Sequence, residues 1–184
     1  MLTITTKGDY MKKAPRLLLT LAFTALITVS VYANNGTLRF TIDGDTIQTD
    51  AEAFMNHYGN YYSNSAINVD FLIISEHVEL YFEMFVPNGN NRLIPGTYNL
   101  STAGHDDHGP FTYSYGEIDV LLLEEIGYEY FDVLDGTLTI TTTGAGANLQ
   151  YIVAFNLTLE DEFGFTVPMT GEYRGSIEWE DHSN

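Results

Sequence analysis

The chain has 184 residues, no cysteine and a formal charge of −18, from 25 Asp and Glu against 7 Lys and Arg. A surface of that sign repels the phosphates of DNA, RNA and anionic lipid, whose binding depends on Lys and Arg, so nucleic-acid binding is excluded. Without cysteine there is neither a disulfide nor a thiol nucleophile, and hydrophobic burial has to carry the fold.

The first element in the chain is a leader. Lys12, Lys13 and Arg16 precede an apolar run from Leu17 to Val29, interrupted by Thr20, Thr24 and Thr28, and Val31-Tyr32-Ala33 follows. Basic, then apolar, then small is the order of a secretory signal peptide. The run is roughly a dozen residues long, against the about 20 that span a bilayer, too short for an anchor. Residues 1–33 are therefore expected to be removed, with Met11 as the true start and 34–184 as the mature chain. Four of the seven basic residues and Asp9 fall in the removed segment, leaving Arg39, Arg92 and Arg174 against 24 acids, a charge of −21. The product is expected to be soluble, in the periplasm or outside the cell. It has no Cys to carry a lipid, hence no stable membrane anchor, and its length suits one core rather than two.

From Asn34 onward apolar and polar residues alternate with period two, broken at short intervals by Gly, Asn, Asp and Pro, the pattern of antiparallel strands. Leu38, Phe40 and Ile42 alternate with Thr37, Arg39 and Thr41, and Asp43-Gly44 turns the chain into 46–49, a first hairpin. Ala51, Ala53, Met55 and His57 share one face of a strand ending at Gly59, and a polar loop covers 60–65. Next, 68–75 pairs with 77–86, in which Val78, Leu80, Phe82, Met84 and Val86 face the core while Glu79 and Glu83 face away. Pro87 to Asn91 ends that strand, Pro95-Gly96 turns the chain into 97–101, and 103–110 is a loop rich in His and Asp. Phe111, Tyr113 and Tyr115 alternate, 119–125 is apolar in its middle, and 128–133 is a short strand. Finally 136–140, 151–159 and 166–179 form a meander, with Gly171 and Gly175 on the apolar face of its last strand, where they relieve crowding or allow a bend. The expected fold is all-β: a single antiparallel β-barrel or β-sandwich built of meander hairpins.

Four stretches carry a likeness to a known class. They are Asn56-His57-Tyr58-Gly59, Leu93-Ile94-Pro95-Gly96-Thr97-Tyr98-Asn99-Leu100, Gly136-Thr137-Leu138-Thr139-Ile140 and Thr170-Gly171-Glu172-Tyr173-Arg174-Gly175-Ser176-Ile177. In their order the chain resembles a class of small exported β domains frequent in Bacteroidetes, for which no activity is generally assigned. The resemblance implies a lipocalin-like barrel or sandwich and transfers no catalytic residue. Many members are lipoproteins, and this chain departs from them in lacking Cys.

Chemistry-bearing residues are few in pattern. His105-Asp106-Asp107-His108 offers imidazole and carboxylate ligands for zinc or another divalent cation, with His57 or His77 as a third ligand brought near by folding. Asp43-Gly44-Asp45, 88–91 and Glu160-Asp161-Glu162 offer oxygens to calcium, none with EF-hand spacing, and the same residues serve turns for backbone reasons. Phe111, Tyr113 and Tyr115, or Tyr128 and Tyr130, make a ligand platform if they share one sheet face, since a phenol presents an apolar body and a hydrogen-bonding end. No nucleophile elbow, His-Glu-x-x-His run or phosphate loop is present. The leading expectation is an exported, non-catalytic acidic domain that binds a small molecule, glycan or protein. Its alternatives are a carboxylate-dependent hydrolase acting on polysaccharide and a purely structural acidic surface protein.

Overall fold

In the computed structural model, residues 36–60, 65–88, 92–103, 108–122 and 127–183 are described. They belong to one compact unit, Asn34–Asn184. Apart from a three-residue 3-10 turn at Gly146–Asn148, every regular element is a strand: β1 Gly36–Ile42, β2 Asp45–Gly59, β3 Ala66–Ser75, β4 Val78–Pro87, β5 Gly96–Leu100, β6 Thr112–Leu122, β7 Gly127–Thr143, β8 Gln150–Asp161, β9 Thr166–Gly175 and β10 Glu178–Asp181. The all-β expectation therefore holds. All ten strands lie in one sheet.

The hairpin logic of the sequence sets the pairing. Asp43 and Gly44 both have positive φ, 46° and 90°, the conformation a two-residue hairpin turn needs to match strand twist, and β1 pairs antiparallel with β2 on either side of them. Antiparallel pairing continues from β2 to β3, β3 to β4, β4 to β6, β6 to β7, β7 to β8 and β8 to β9. Strand β9 then pairs with β1, Leu38 opposite Tyr173 and Phe40 opposite Gly171, so the order of pairings returns to the strand it started from. One end of this cycle carries the turns 43–44, 76–77 and 162–165. The other, here the mouth end, carries the longer connections between β2 and β3, β4 and β6, and β7 and β8.

Two short strands complete the mouth end. Strands β6 and β7 pair over 117–122 and 127–132 and then part, and β5 fills the gap, antiparallel to β7 and parallel to the start of β6. Strand β1 covers the edge of β2 only as far as Ala51, and β10 covers 54–57 of that edge in parallel.

Several strand limits differ from the sequence expectation. The segments 46–49 and 51–59 are one 15-residue strand, β2, because Thr49, Ala51, Ala53, Met55 and His57 keep a single buried face through Asp50. Likewise 128–133 and 136–140 are one strand, β7, joined through an irregularity at Leu134. The last strand is shorter than expected: it stops at Gly175, and Trp179 belongs to the separate β10.

Period-two alternation packs the interior. Leu38, Phe40, Phe71, Leu80, Phe82, Leu138, Val153 and Phe155 are at most 4% exposed and form one contiguous core with Met169 and Tyr173. Three fully buried tyrosines donate their hydroxyls to backbone carbonyls: Tyr98 to Ile94 at 3.0 Å, Tyr113 to Gly136 at 3.0 Å and Tyr173 to Ser176 at 2.6 Å. Each ring gains hydrophobic burial without leaving its polar end unpaired. Burial pushes all three phenols well above their ordinary pKa of 10. Gly171 is needed for space rather than for φ, because a Cβ there would overlap the Phe155 ring and the Arg39 carbonyl.

Candidate functional site

The polar, outward positions of β3, β4, β6 and β7 are not a random mixture. In register across the strands lie Asp70, Glu83 and Tyr115; then Leu72, Tyr81, Glu117 and Asp132; then Ile74, Glu79, Asp119 and Tyr130. Neighbouring side chains on one sheet face stand about 5 Å apart across strands, close enough for hydroxyl and carboxylate to meet. They do meet. Tyr81 donates to Asp70 Oδ1 at 2.8 Å, and Tyr130 donates to Glu117 Oε1 at 2.5 Å and lies 2.9 Å from Asp132 Oδ1. Tyr115 also bonds Glu117, and its hydroxyl is 3.0 Å from that of Tyr130. Asn68 and Ser114 hold the two oxygens of Glu83.

The rings are held as well as their hydroxyls. Tyr81 meets Tyr115 edge-on at 6.2 Å, and Tyr58, at the end of β2, stacks on His182 at 5.6 Å. Tyr58, Tyr115 and Tyr130 are 38, 38 and 39% exposed, leaving ring surface open to a ligand while their hydroxyls are fixed.

Electrostatics follow from crowding carboxylates on one face. Partial burial raises the pKa of Asp70 above 3.8, Glu79 above 4.5 and Asp119 above 3.8. Glu83 adds to the shift at Asp70, and Asp119 and Glu117 add to that at Glu79. Burial and the same carboxylates push the Tyr81 and Tyr130 phenols far above 10. These tyrosines remain neutral donors under physiological conditions, and the carboxylates are acceptors.

Of the expected platform Phe111, Tyr113 and Tyr115, the structure places only Tyr115 on this face. Opposite β4, Glu83 faces Tyr115 and Met84 faces Tyr113, so Ser114 is an extra residue in the ladder and the alternation slips by one. Tyr113 consequently points into the core, 5.7 Å from Phe82. Phe111 has a φ of 62° and packs in the loop against Tyr98 at 5.4 Å. Of the second expected pair, Tyr130 joins the face and the side chain of Tyr128 lies outside the described residues. Sequence reading missed Tyr58, Tyr81 and Asp70. The signal was available for two of them, because Tyr81 and Asp70 occupy outward positions of two well-patterned strands.

Of the expected metal ligands, His105, Asp106 and Asp107 lie outside the described residues. His108 is buried, stacked on Phe85 at 4.5 Å, with Nδ1 3.1 Å from the Ser101 hydroxyl. His57 pairs with Asp181 at 3.1 Å and His77 with Glu76 at 3.2 Å. Among the described residues no group of three or more His, Asp or Glu is placed to hold a metal ion. Nor, among them, is any helix long and apolar enough to cross a membrane. No family model, curated protein or solved structure matches the chain.

Proposed function

We propose that the chain is an exported, non-catalytic binding domain, a lipocalin-like barrel that takes a neutral glycan on its outer tyrosine and carboxylate face. The pairing that returns β9 to β1 supports the barrel reading. The observation that carries the ligand is the combination, in contiguous rows, of partly open Tyr115 and Tyr130 rings with anchored carboxylates. Sugar rings present C–H faces that stack on phenols and hydroxyls that donate to carboxylates. A polyanionic glycan is disfavoured by a chain of formal charge −18.

Calorimetric titration of the full chain against a neutral oligosaccharide panel, with and without calcium and zinc, tests this. At least one saturable ligand is expected, with affinity about tenfold lower in the Y115A/Y130A variant. No binding across the panel, or equal binding by the variant, overturns the reading. Metal dependence in the same titrations would support the divalent-cation reading of the His105 to His108 loop.

A second reading, a carboxylate-dependent hydrolase acting on polysaccharide, is favoured by the raised pKa of Asp70, which sits in register with Glu83. A general acid needs such a carboxyl. Release of reducing ends, abolished by Asp70→Asn, decides for it; absence of turnover decides against it.

A further inference from the structure

We propose that the cleft at the mouth end is a second binding site, for a small free monocarboxylic acid with an apolar body. The cleft has a volume of about 410 Å³, within the roughly 300–1,000 Å³ range of small-molecule sites. Its apolar walls come from separate parts of the chain: Met55 on β2, Leu149 and Tyr151 at the start of β8, and Ile177 and Trp179 after β9. Because β9 stops at Gly175 and β10 crosses to β2, Ile177 and Trp179 are only partly buried: they pack against the core on one side and line the cleft on the other. Trp179 is fixed from behind: its ring lies 5.2 Å from that of His57, whose Nδ1 is held by Asp181 at 3.1 Å. A wall held before the ligand arrives loses little freedom on binding.

Arg92 supplies the charge. It lines the same cleft and acts on the Tyr151 phenol, lowering its pKa against the rise that burial imposes. The other two arginines of the described residues both sit beside Glu172: Arg174 is bonded to it and Arg39 is opposite it in register. Arg92 has no ion-pair partner among the described residues, in a chain with 25 acids and 7 bases. A guanidinium fork beside apolar walls fits one carboxylate, through two parallel N–H donors. A phosphate or dicarboxylate carries a second negative charge that no other described group of the cleft neutralises and the molecular field repels.

The chain contains a single tryptophan, so its fluorescence reports this cleft and not the tyrosine face. The full chain is titrated with 4-phenylbutyrate and decanoate, and in parallel with the neutral isosteres 4-phenylbutanol and decanol. A saturable change in Trp179 emission is expected with at least one acid, at an affinity about tenfold or more above that of its alcohol. Arg92→Gln is expected to bring the acid down to the alcohol's affinity and leave the alcohol unchanged, with Arg92→Lys between the two. Y115A/Y130A is expected to leave acid binding unchanged, which separates this site from the glycan face. Saturation with neither acid, equal affinity for acid and alcohol, or an Arg92→Gln chain that binds acid like the parent each overturns the proposal.

Discussion

Ser114 decides which tyrosine meets solvent. One extra residue in β6 turns Tyr113 inward and Tyr115 outward, although both stand at alternate positions of an apparently regular run. Nothing in the local residue types marks the slip, since Ser, Gly and Tyr all tolerate strand backbone; it is fixed by register against β4. Gly171 shows the opposite case, where an expectation of relieved crowding is met by the Phe155 ring. Gly171→Ala should destabilise the chain by about 1–3 kcal/mol in urea unfolding, as overpacked cores do, and adding Phe155→Leu should recover part of the loss. The carboxyls of Asp70, Glu79 and Asp119 give a pH dependence of definite sign. Their pKa values are raised in the folded chain, so it binds these protons more tightly than the unfolded chain does. Stability from this source rises as pH falls from neutral through the folded pKa values toward the ordinary values of 3.8 and 4.5. Asp181, lowered to about 2 chiefly by the Ser183 hydroxyl and amide, works the other way, its contribution being lost as pH falls below 3.8 toward 2. The urea midpoint should therefore be higher near about pH 5 than near about pH 8, an interval in which the contribution of Asp181 is constant; the reverse order would show that the crowded carboxyls do not govern this range.

At the level of elements, β10 is the piece that sequence could not place. Residues 166–179 read as one alternating run because Ile177 and Trp179 continue the phase of Tyr173, and phase says nothing about which neighbour a strand finds. The break comes from the crowded passage at Gly175, which abuts Gly36 and the Tyr173 hydroxyl and turns the chain across to β2. Strands β2 and β7 were underestimated for a related reason: Asp50 and Leu134-Asp135 look like interruptions, yet Asp50 occupies an outward position and Leu134 is absorbed as an extra residue. By covering 54–57, β10 removes the open edge that β1 leaves on β2. Deletion of residues 178–184 should expose that edge and increase self-association, read by sedimentation velocity against the full chain. An unchanged sedimentation profile would mean that the edge is protected by other means.

For the whole molecule, pattern alone does not choose between barrel and sandwich, since both bury one face of each strand, and it gives no sign of the long-range pairing of β1 with β9. Charge acts at this scale too. With a formal charge of −18 the compact state repels itself, and screening by salt should raise the thermal midpoint steadily from about 0.01 M to about 0.5 M sodium chloride. A flat response would place the acids in compensated pairs. The pairing of β1 with β9 also has a consequence in time. Leu38 meets its first partner, Thr49, at once, but its second, Tyr173, lies more than a hundred residues downstream. Closing so long a loop is entropically expensive and contributes to high contact order, which places folding on the millisecond-to-second scale. Any chain made or released N-terminus first keeps β1 half-paired until nearly its whole length is free, because residues 169–174 complete the cycle.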